Sequence, residues 1–245
     1  LQEYSKLKEL PKSAVEARAA KAGAAPTIRL DSSLFQPARM LTWNISAAEA
    51  REDKKQVSVR APESWSAVDN LAAVQQVVSR WQVDLAALQE CPGAKALEAL
   101  AKRLTFVGSA TAHAGSVHLY VAPGFPFELV ELPAGIPCVM ARVTFGDHVT
   151  DVAAVHFQHG KGSDHIRKQQ MRAILAARRA ATFIVLGDFN APEDELLALR
   201  TGGKMEDAVY AGRSWDPSKN LYFEEHRGKQ CKNRIEGQCF DRMLF

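Results

Sequence analysis

Three observations predict a mixed α/β (α+β) fold built in layers. The run 182–186, Thr-Phe-Ile-Val-Leu, is short and continuously apolar, as a strand buried on both faces is. An apolar run at 38–45, an amphipathic helix pattern at 66–81 and a second apolar run at 83–90 follow one another, the strand–helix–strand order of layered cores. Between 105 and 157 the pattern turns β-rich, with apolar segments separated by Gly and Pro clusters.

Composition places outer bounds on the fold. The 245 residues can form one large domain or two small ones. The chain carries a net charge of +3 and a pI near 8.7, which mildly favours polyanionic partners. No run is long and apolar enough to cross a bilayer, so no membrane role is expected. Cys91, Cys138, Cys231 and Cys239 form no CxxC pair. That argues against structural zinc and against a disulfide scaffold, and suggests a reducing, intracellular compartment.

Taken in order, residues 1–37 are rich in Ala, Lys and Glu and broken by Pro11, Pro26 and Pro37. They read as an N-terminal extension to a domain spanning 38–245, serving as a surface tail or as a docking arm for a protein partner. Tyr4, Leu7 and Leu10 could line a short helix there. Glu3, Glu9 and Glu16 do not suit a mitochondrial transit peptide. The first core strand, 38–45, ends in polar Asn44, and the charged loop 46–65 follows it. In helix 66–81, Val68, Leu71, Val74, Val78 and Trp81 recur on one face. Strand 83–90 ends in Glu90, and 94–103 resumes as helix.

Strands are then expected at 105–107, 116–121, 127–132, 138–145 and 148–157, the last carrying His156. Helix 164–179 bears Arg167, Lys168, Arg172, Arg178 and Arg179, by default a solvated charged face. Gly187 after strand 182–186 releases the backbone, and Asp188 and Asn190, two apart, are expected to face one cleft together. A short helix at 192–200, a loop-rich stretch at 201–235 containing Trp215, and a final strand at 240–245 complete the chain.

Asn44, Glu90, His156, Asp188 and Asn190 each end or follow an apolar strand. Such a series points to one polar cleft at a common sheet edge. Hard oxygen ligands plus an imidazole, with no thiolate, suit Mg²⁺ or Mn²⁺ rather than zinc.

With these motifs in order, the chain from about Met40 to Phe245 resembles the endonuclease/exonuclease/phosphatase superfamily. The resemblance rests on Thr42-Trp43-Asn44-Ile45, Leu88-Gln89-Glu90, His156, Gly187-Asp188-Phe189-Asn190 and Phe240-Asp241-Arg242. Within it, the chain is most similar to the tyrosyl-DNA phosphodiesterases of the second type, through the Thr-Trp-Asn-Ile opening, Trp215-Asp216 and the Phe-Asp-Arg strand. The resemblance implies a four-layer α/β sandwich, two packed mixed β-sheets flanked by helices. It implies a Mg²⁺- or Mn²⁺-dependent phosphodiesterase acting at a nucleic-acid end, including a 5′-linked tyrosyl adduct. Glu90 and Asn44 would hold the metal, Asp188 would orient or deprotonate water, and Asn190 and His156 would bind phosphate oxygens. Arg167, Lys168, Arg172 and Trp215 would contact nucleic acid.

Two departures set up an alternative. Ser46 stands where the family places an Asp, and no Ser-Asp-His motif follows the Phe-Asp-Arg strand, so Asp241 lacks its family partner. Ser163-Asp164-His165 reads instead as a helix N-cap. The chain is therefore expected to continue past Phe245, or to leave a sheet edge for a partner. The alternative reading is a non-catalytic scaffold subunit of the same fold. A phosphatase or lipid-headgroup hydrolase of that superfamily is a third.

Overall fold

The structure, a computed structural model, describes residues 38–45, 67–91, 98, 100–112, 115–160, 162–207 and 241–245. The expectations for residues 1–37, for Ser46, for Trp215 and for most of helix 94–103 lie outside them.

Strand β1 (Met40–Asn44), helix α1 (Ala67–Trp81) and strand β2 (Leu85–Cys91) form one strand–helix–strand unit, with β1 and β2 parallel. Strands β3 (Thr105–Thr111) and β4 (Ser116–Val121) complete a four-stranded sheet in the order β1-β2-β4-β3. Strands β5 (Phe127–Val130), β6 (Cys138–Phe145) and β7 (His148–His156) form an antiparallel meander. Helix α2 (Asp164–Ala177) then crosses to β8 (Thr182–Asp188), which pairs parallel with β7. Helix α3 (Glu193–Gly203) and β9 (Asp241–Leu244) follow, giving a five-stranded sheet in the order β5-β6-β7-β8-β9.

Side-chain alternation sorts these elements into four layers. Leu85, Ala87, Val117 and Leu119 from the first sheet meet Val139, Ala141, Val152, Ala154 and Leu186 from the second, forming the core between the sheets. On the outer face of the first sheet, Ala86, Leu88 and Tyr120 pack on Leu71, Val74 and Val78 of α1. On the outer face of the second, Ala153, Val155 and Val185 pack on Met171 and Ile174 of α2 and Leu196 and Leu199 of α3. Each fully buried large aliphatic side chain contributes about 1.5–3 kcal/mol, so three such clusters dominate the stability of the domain. The expected four-layer sandwich of two mixed sheets is the observed fold.

Several local expectations need correction. Trp81 does not complete the buried face of α1: it is 54% exposed, with the Arg80 guanidinium 5.7 Å from its ring centroid. Strand β3 continues to Thr111, held along its length by β4. Strand β8 continues through Gly187 to Asp188, so the glycine does not release the chain but lies inside the sheet. A Cβ on Gly187, at φ +148°, would come 2.0 Å from the Val155 carbonyl oxygen; only a glycine lets β7 and β8 pair so closely there. Among the described residues no helix is long and apolar enough to span a membrane.

Candidate active site

The two strand–helix–strand units explain why the polar residues meet. In a parallel pair both strands deliver their C-terminal ends to the same edge. Asn44 thus lies opposite Gln89 beside Glu90, and His156 lies opposite Asp188. The two edges abut: the Asn44 Nδ2 amide donates to Glu90 Oε1 at 3.1 Å and to Asp188 Oδ2 at 3.0 Å. One carboxamide therefore bridges a carboxylate from each sheet.

Glu90 reaches this edge through a bulge. Leu88 pairs with His118 and Cys91 with Ser116, so β2 advances three residues while β4 advances two. Up to that point alternation is strict. Leu85 and Ala87 face the second sheet, as does Gln89, whose Oε1 accepts from Thr42 Oγ1 at 3.4 Å. Ala86 and Leu88 face α1. Continued alternation would put Glu90 under α1. Instead Glu90 adopts φ +53° and joins Asn44 in the cleft, and Cys91 resumes the helix-facing position. A left-handed conformation costs a residue such as Glu about 1–2 kcal/mol, so the surrounding structure must impose it.

Asp188 is held at both oxygens. Oδ1 accepts from the Asn190 backbone N–H at 2.9 Å, and Oδ2 accepts from Asn44. His156 Nε2 lies 3.8 Å from Asp188 Oδ2, and its ring is almost wholly buried. Burial pushes the imidazole pKa down to about 4, with the charge of His159 adding to the effect. His156 is therefore neutral at pH 7 and can serve as a hydrogen-bonding group, not as a standing cation.

Asn190 follows the end of β8 at φ +48°, a conformation that Asn tolerates well. Its Nδ2 donates to the Phe157 carbonyl at 3.1 Å. Its position thus comes from this turn and not from the expected continuation of strand alternation. The Phe157 N–H in turn donates to the Asp188 carbonyl at 2.9 Å, so the loops after β7 and β8 are laced together. On β9, Asp241 stands across from Asp188 in antiparallel register.

The basic residues divide. Arg167 does not offer its charge to an external phosphate, contrary to expectation. It is 3% exposed, donates to Glu195 at 2.6 and 2.5 Å, and donates to the Gln158 carbonyl at 2.7 Å. It ties the loop after His156 to α3. Lys168 is partly exposed and pairs with Asp164 one turn earlier at 3.2 Å; Arg172 is exposed. Ser163 occupies the N-cap of α2 as expected, but its hydroxyl donates to the His159 carbonyl and caps no helical N–H. His165 Nδ1 donates to the Gly162 carbonyl at 3.1 Å on the exposed start of the helix. Arg242, from the Phe-Asp-Arg strand, binds Asp207 at 3.0 Å and also Glu193, anchoring β9 to α3.

Sequence reading missed a polar row on β4, buried at His118 and Tyr120 and partly buried at Ser116. Ser116, His118 and Tyr120 occur at every second position of an otherwise apolar strand, and that alternation was the available signal. Ser116 Oγ lies 2.8 Å from His118 Nε2, and His118 Nδ1 lies 3.1 Å from the Tyr120 hydroxyl.

No protein-family model matches the chain, and no curated protein matches it by sequence. Solved structures do match by shape. The crystal structure of D. rerio TDP2 complexed with single strand DNA product is 17% identical, covers 84% of this chain and 82% of its own, and gives a TM-score of 0.58. A β-hairpin deletion mutant of beta toxin from Staphylococcus aureus is 14% identical over 86% of this chain and 87% of its own, at a TM-score of 0.63. The endonuclease domain of TRAS1, a telomere-specific non-LTR retrotransposon, is 13% identical over 85% and 84%, at 0.53. By architecture, then, this chain has an endonuclease/exonuclease/phosphatase-type fold related to that of TDP2.

Proposed function

We propose that the chain is a divalent-metal-dependent phosphodiesterase that hydrolyses a phosphodiester at a nucleic-acid end, a 5′-tyrosyl DNA adduct being the substrate class to test first. The observation that carries the reading is the Asn44 amide shared by Glu90 and Asp188. Two carboxylates gathered around one donor, at the common C-terminal edge of two sheets, form a site for cationic ligands and for activating water. The shape likeness to TDP2 solved with a single-stranded DNA product supports a nucleic-acid substrate.

The donor set fits Mg²⁺ or Mn²⁺. Among the described residues there is no cluster of three His, Cys, Asp or Glu to cage an ion. Mg²⁺ does not need one: it keeps several waters and takes one or two protein carboxylates. Glu90, with the Asn44 carboxamide beside it, would hold such an ion. When bound, the cation lowers the energy of negative charge developing on the phosphoryl oxygens.

The chain's own residues supply the rest. Asp188, fixed at both oxygens, orients a water and accepts its proton as the water oxygen bonds to phosphorus and the bridging P–O bond breaks. Neutral His156 and the Asn190 carboxamide donate hydrogen bonds to phosphoryl oxygens. Exposed Arg172, with Lys168 one turn before it, takes a neighbouring phosphate. The intact carboxylate pair supports hydrolysis over a non-catalytic scaffold.

The test is cleavage of a 5′-tyrosyl oligonucleotide and of an abasic duplex, with and without Mg²⁺ or Mn²⁺, beside Glu90→Gln. Metal-dependent cleavage that disappears in a folded Glu90→Gln variant is expected. Undiminished cleavage by that variant, or no cleavage of either substrate by the unmodified chain, would overturn the assignment.

A further inference from the structure

The bulge that brings Glu90 into the cleft is not explained by Glu90 itself. Two features of the neighbouring strand account for it. The first is Gly115, at the start of β4. It sits at φ +76°, and a Cβ there would lie 3.2 Å from both the Cα and the carbonyl carbon of Glu90 and 3.3 Å from the Cys91 carbonyl oxygen. A side chain at 115 would therefore press on the bulged backbone and, at that positive φ, be strained as well.

The second is the polar row on β4. Ser116 Oγ donates to the Cys91 carbonyl at 3.4 Å, on the residue that closes the bulge. With that proton spent, the Ser116 oxygen must accept from His118 Nε2–H. His118 Nδ1 is then the acceptor, and the Tyr120 hydroxyl the donor. The row has one internally consistent polarity, running from Tyr120 through His118 and Ser116 to Cys91. It requires a neutral imidazole, which the buried surroundings of His118 favour. Phe106 packs edge-on against both His118 and Tyr120, at 5.5 Å each, and fixes their rings.

We propose that Gly115 and the Ser116–His118–Tyr120 row are positioning residues for Glu90, holding the bulge that turns its carboxylate out of the helix-covered layer and into the cleft. Glu90's task as a cation ligand rests on the function proposed above; its orientation does not. Removing the row would let β2 relax toward regular alternation, with Glu90 swinging beneath α1 and away from Asn44.

Two readouts separate these layers. The first is the rate at which a methanethiosulfonate reagent labels the thiol introduced by Glu90→Cys, measured over the background of the chain without that change. It is compared with the same substitution in Ser116→Ala, Ser116→Thr and Gly115→Ala backgrounds. It needs neither metal nor substrate. Labelling is expected to slow about tenfold with Ser116→Ala, the effect of one lost hydrogen bond, and to recover with Ser116→Thr, which keeps the hydroxyl. The second is Mn²⁺ affinity of Ser116→Ala by titration calorimetry, expected to weaken by about tenfold or more as when other supporting hydrogen bonds are removed. In turnover, kcat should fall while KM for the oligonucleotide stays put. Gly115→Ala should act in the same direction; if it fails to fold, Ser116→Ala still decides. Unchanged labelling in a folded Ser116→Ala chain would overturn the proposal. Slowed labelling with no Mn²⁺ binding by the unmodified chain would uphold the positioning and sink the metal-dependent function instead.

Discussion

Replacing Arg167 distinguishes a brace from a nucleic-acid contact. Its guanidinium and the Glu195 carboxylate are both under a tenth exposed and meet through two charge-assisted bonds. Arg167→Met would strand the Glu195 charge in a dry site and free the Gln158 carbonyl. Breaking a buried pair from one side costs about 3–5 kcal/mol. For a domain of this size that lowers Tm by roughly 6–20 °C. The double change Arg167→Met with Glu195→Leu removes both charges and should return to within about 1–2 kcal/mol of the parent. Urea unfolding gives the stabilities, and fluorescence anisotropy of a labelled oligonucleotide at several salt concentrations gives the affinity. The single variant should be unstable yet show an unaltered salt slope where it remains folded. A stability loss below about 1 kcal/mol together with a flatter salt slope would refute the structural assignment and restore Arg167 as a phosphate contact.

Other perturbations follow from single features. Gly187→Ala drives a Cβ into the Val155 carbonyl and should cost more than about 3 kcal/mol; a soluble variant unfolding within 1 kcal/mol of the parent in urea, by the same measure, would contradict the close approach of β7 and β8. His118 has its pKa lowered to about 4 from 6.5 by burial, so the unfolded chain takes up this proton first as pH falls. Its contribution is whole above pH 6.5, is lost toward pH 4, and amounts to about 3 kcal/mol. Urea unfolding of the parent should therefore weaken more between pH 7 and 4.5 than that of His118→Gln; equal losses would argue against a buried neutral ring. Arg172→Gln should leave Tm unchanged and reduce the salt slope of oligonucleotide binding by about 1; an unchanged slope would place the phosphate elsewhere.

The cleft was legible because its residues end apolar runs, and parallel pairing turns shared position along a strand into shared position in space. Asn44, His156 and Asp188 needed only that rule. The carbonyl oxygen of Val155 that makes Gly187 necessary belongs to another strand, so the glycine read as a loop signal. Glu90 ends the same kind of run, but strict alternation would have turned it toward α1; the bulge that brings it beside Asn44 lies against Gly115 and Ser116, more than twenty positions away. Arg167 was misread for a related reason. A charged helical residue is solvated unless something buries it, and here Glu195 comes from a later helix while the loop before α2 turns the Gln158 and Gly160 carbonyls onto the guanidinium. Trp81 fits the helical period but falls at the end of α1, past the part that the sheet covers.

Asn44 spans the seam between the sheets, so the gap between the two carboxylates is gauged by what lies under that seam. Ala87, Ala141 and Ala154 line the core between the sheets, and their small side chains keep the two layers close. A single enlarged residue in the interior would act as a wedge, parting Glu90 from Asp188 at a distance and without touching either.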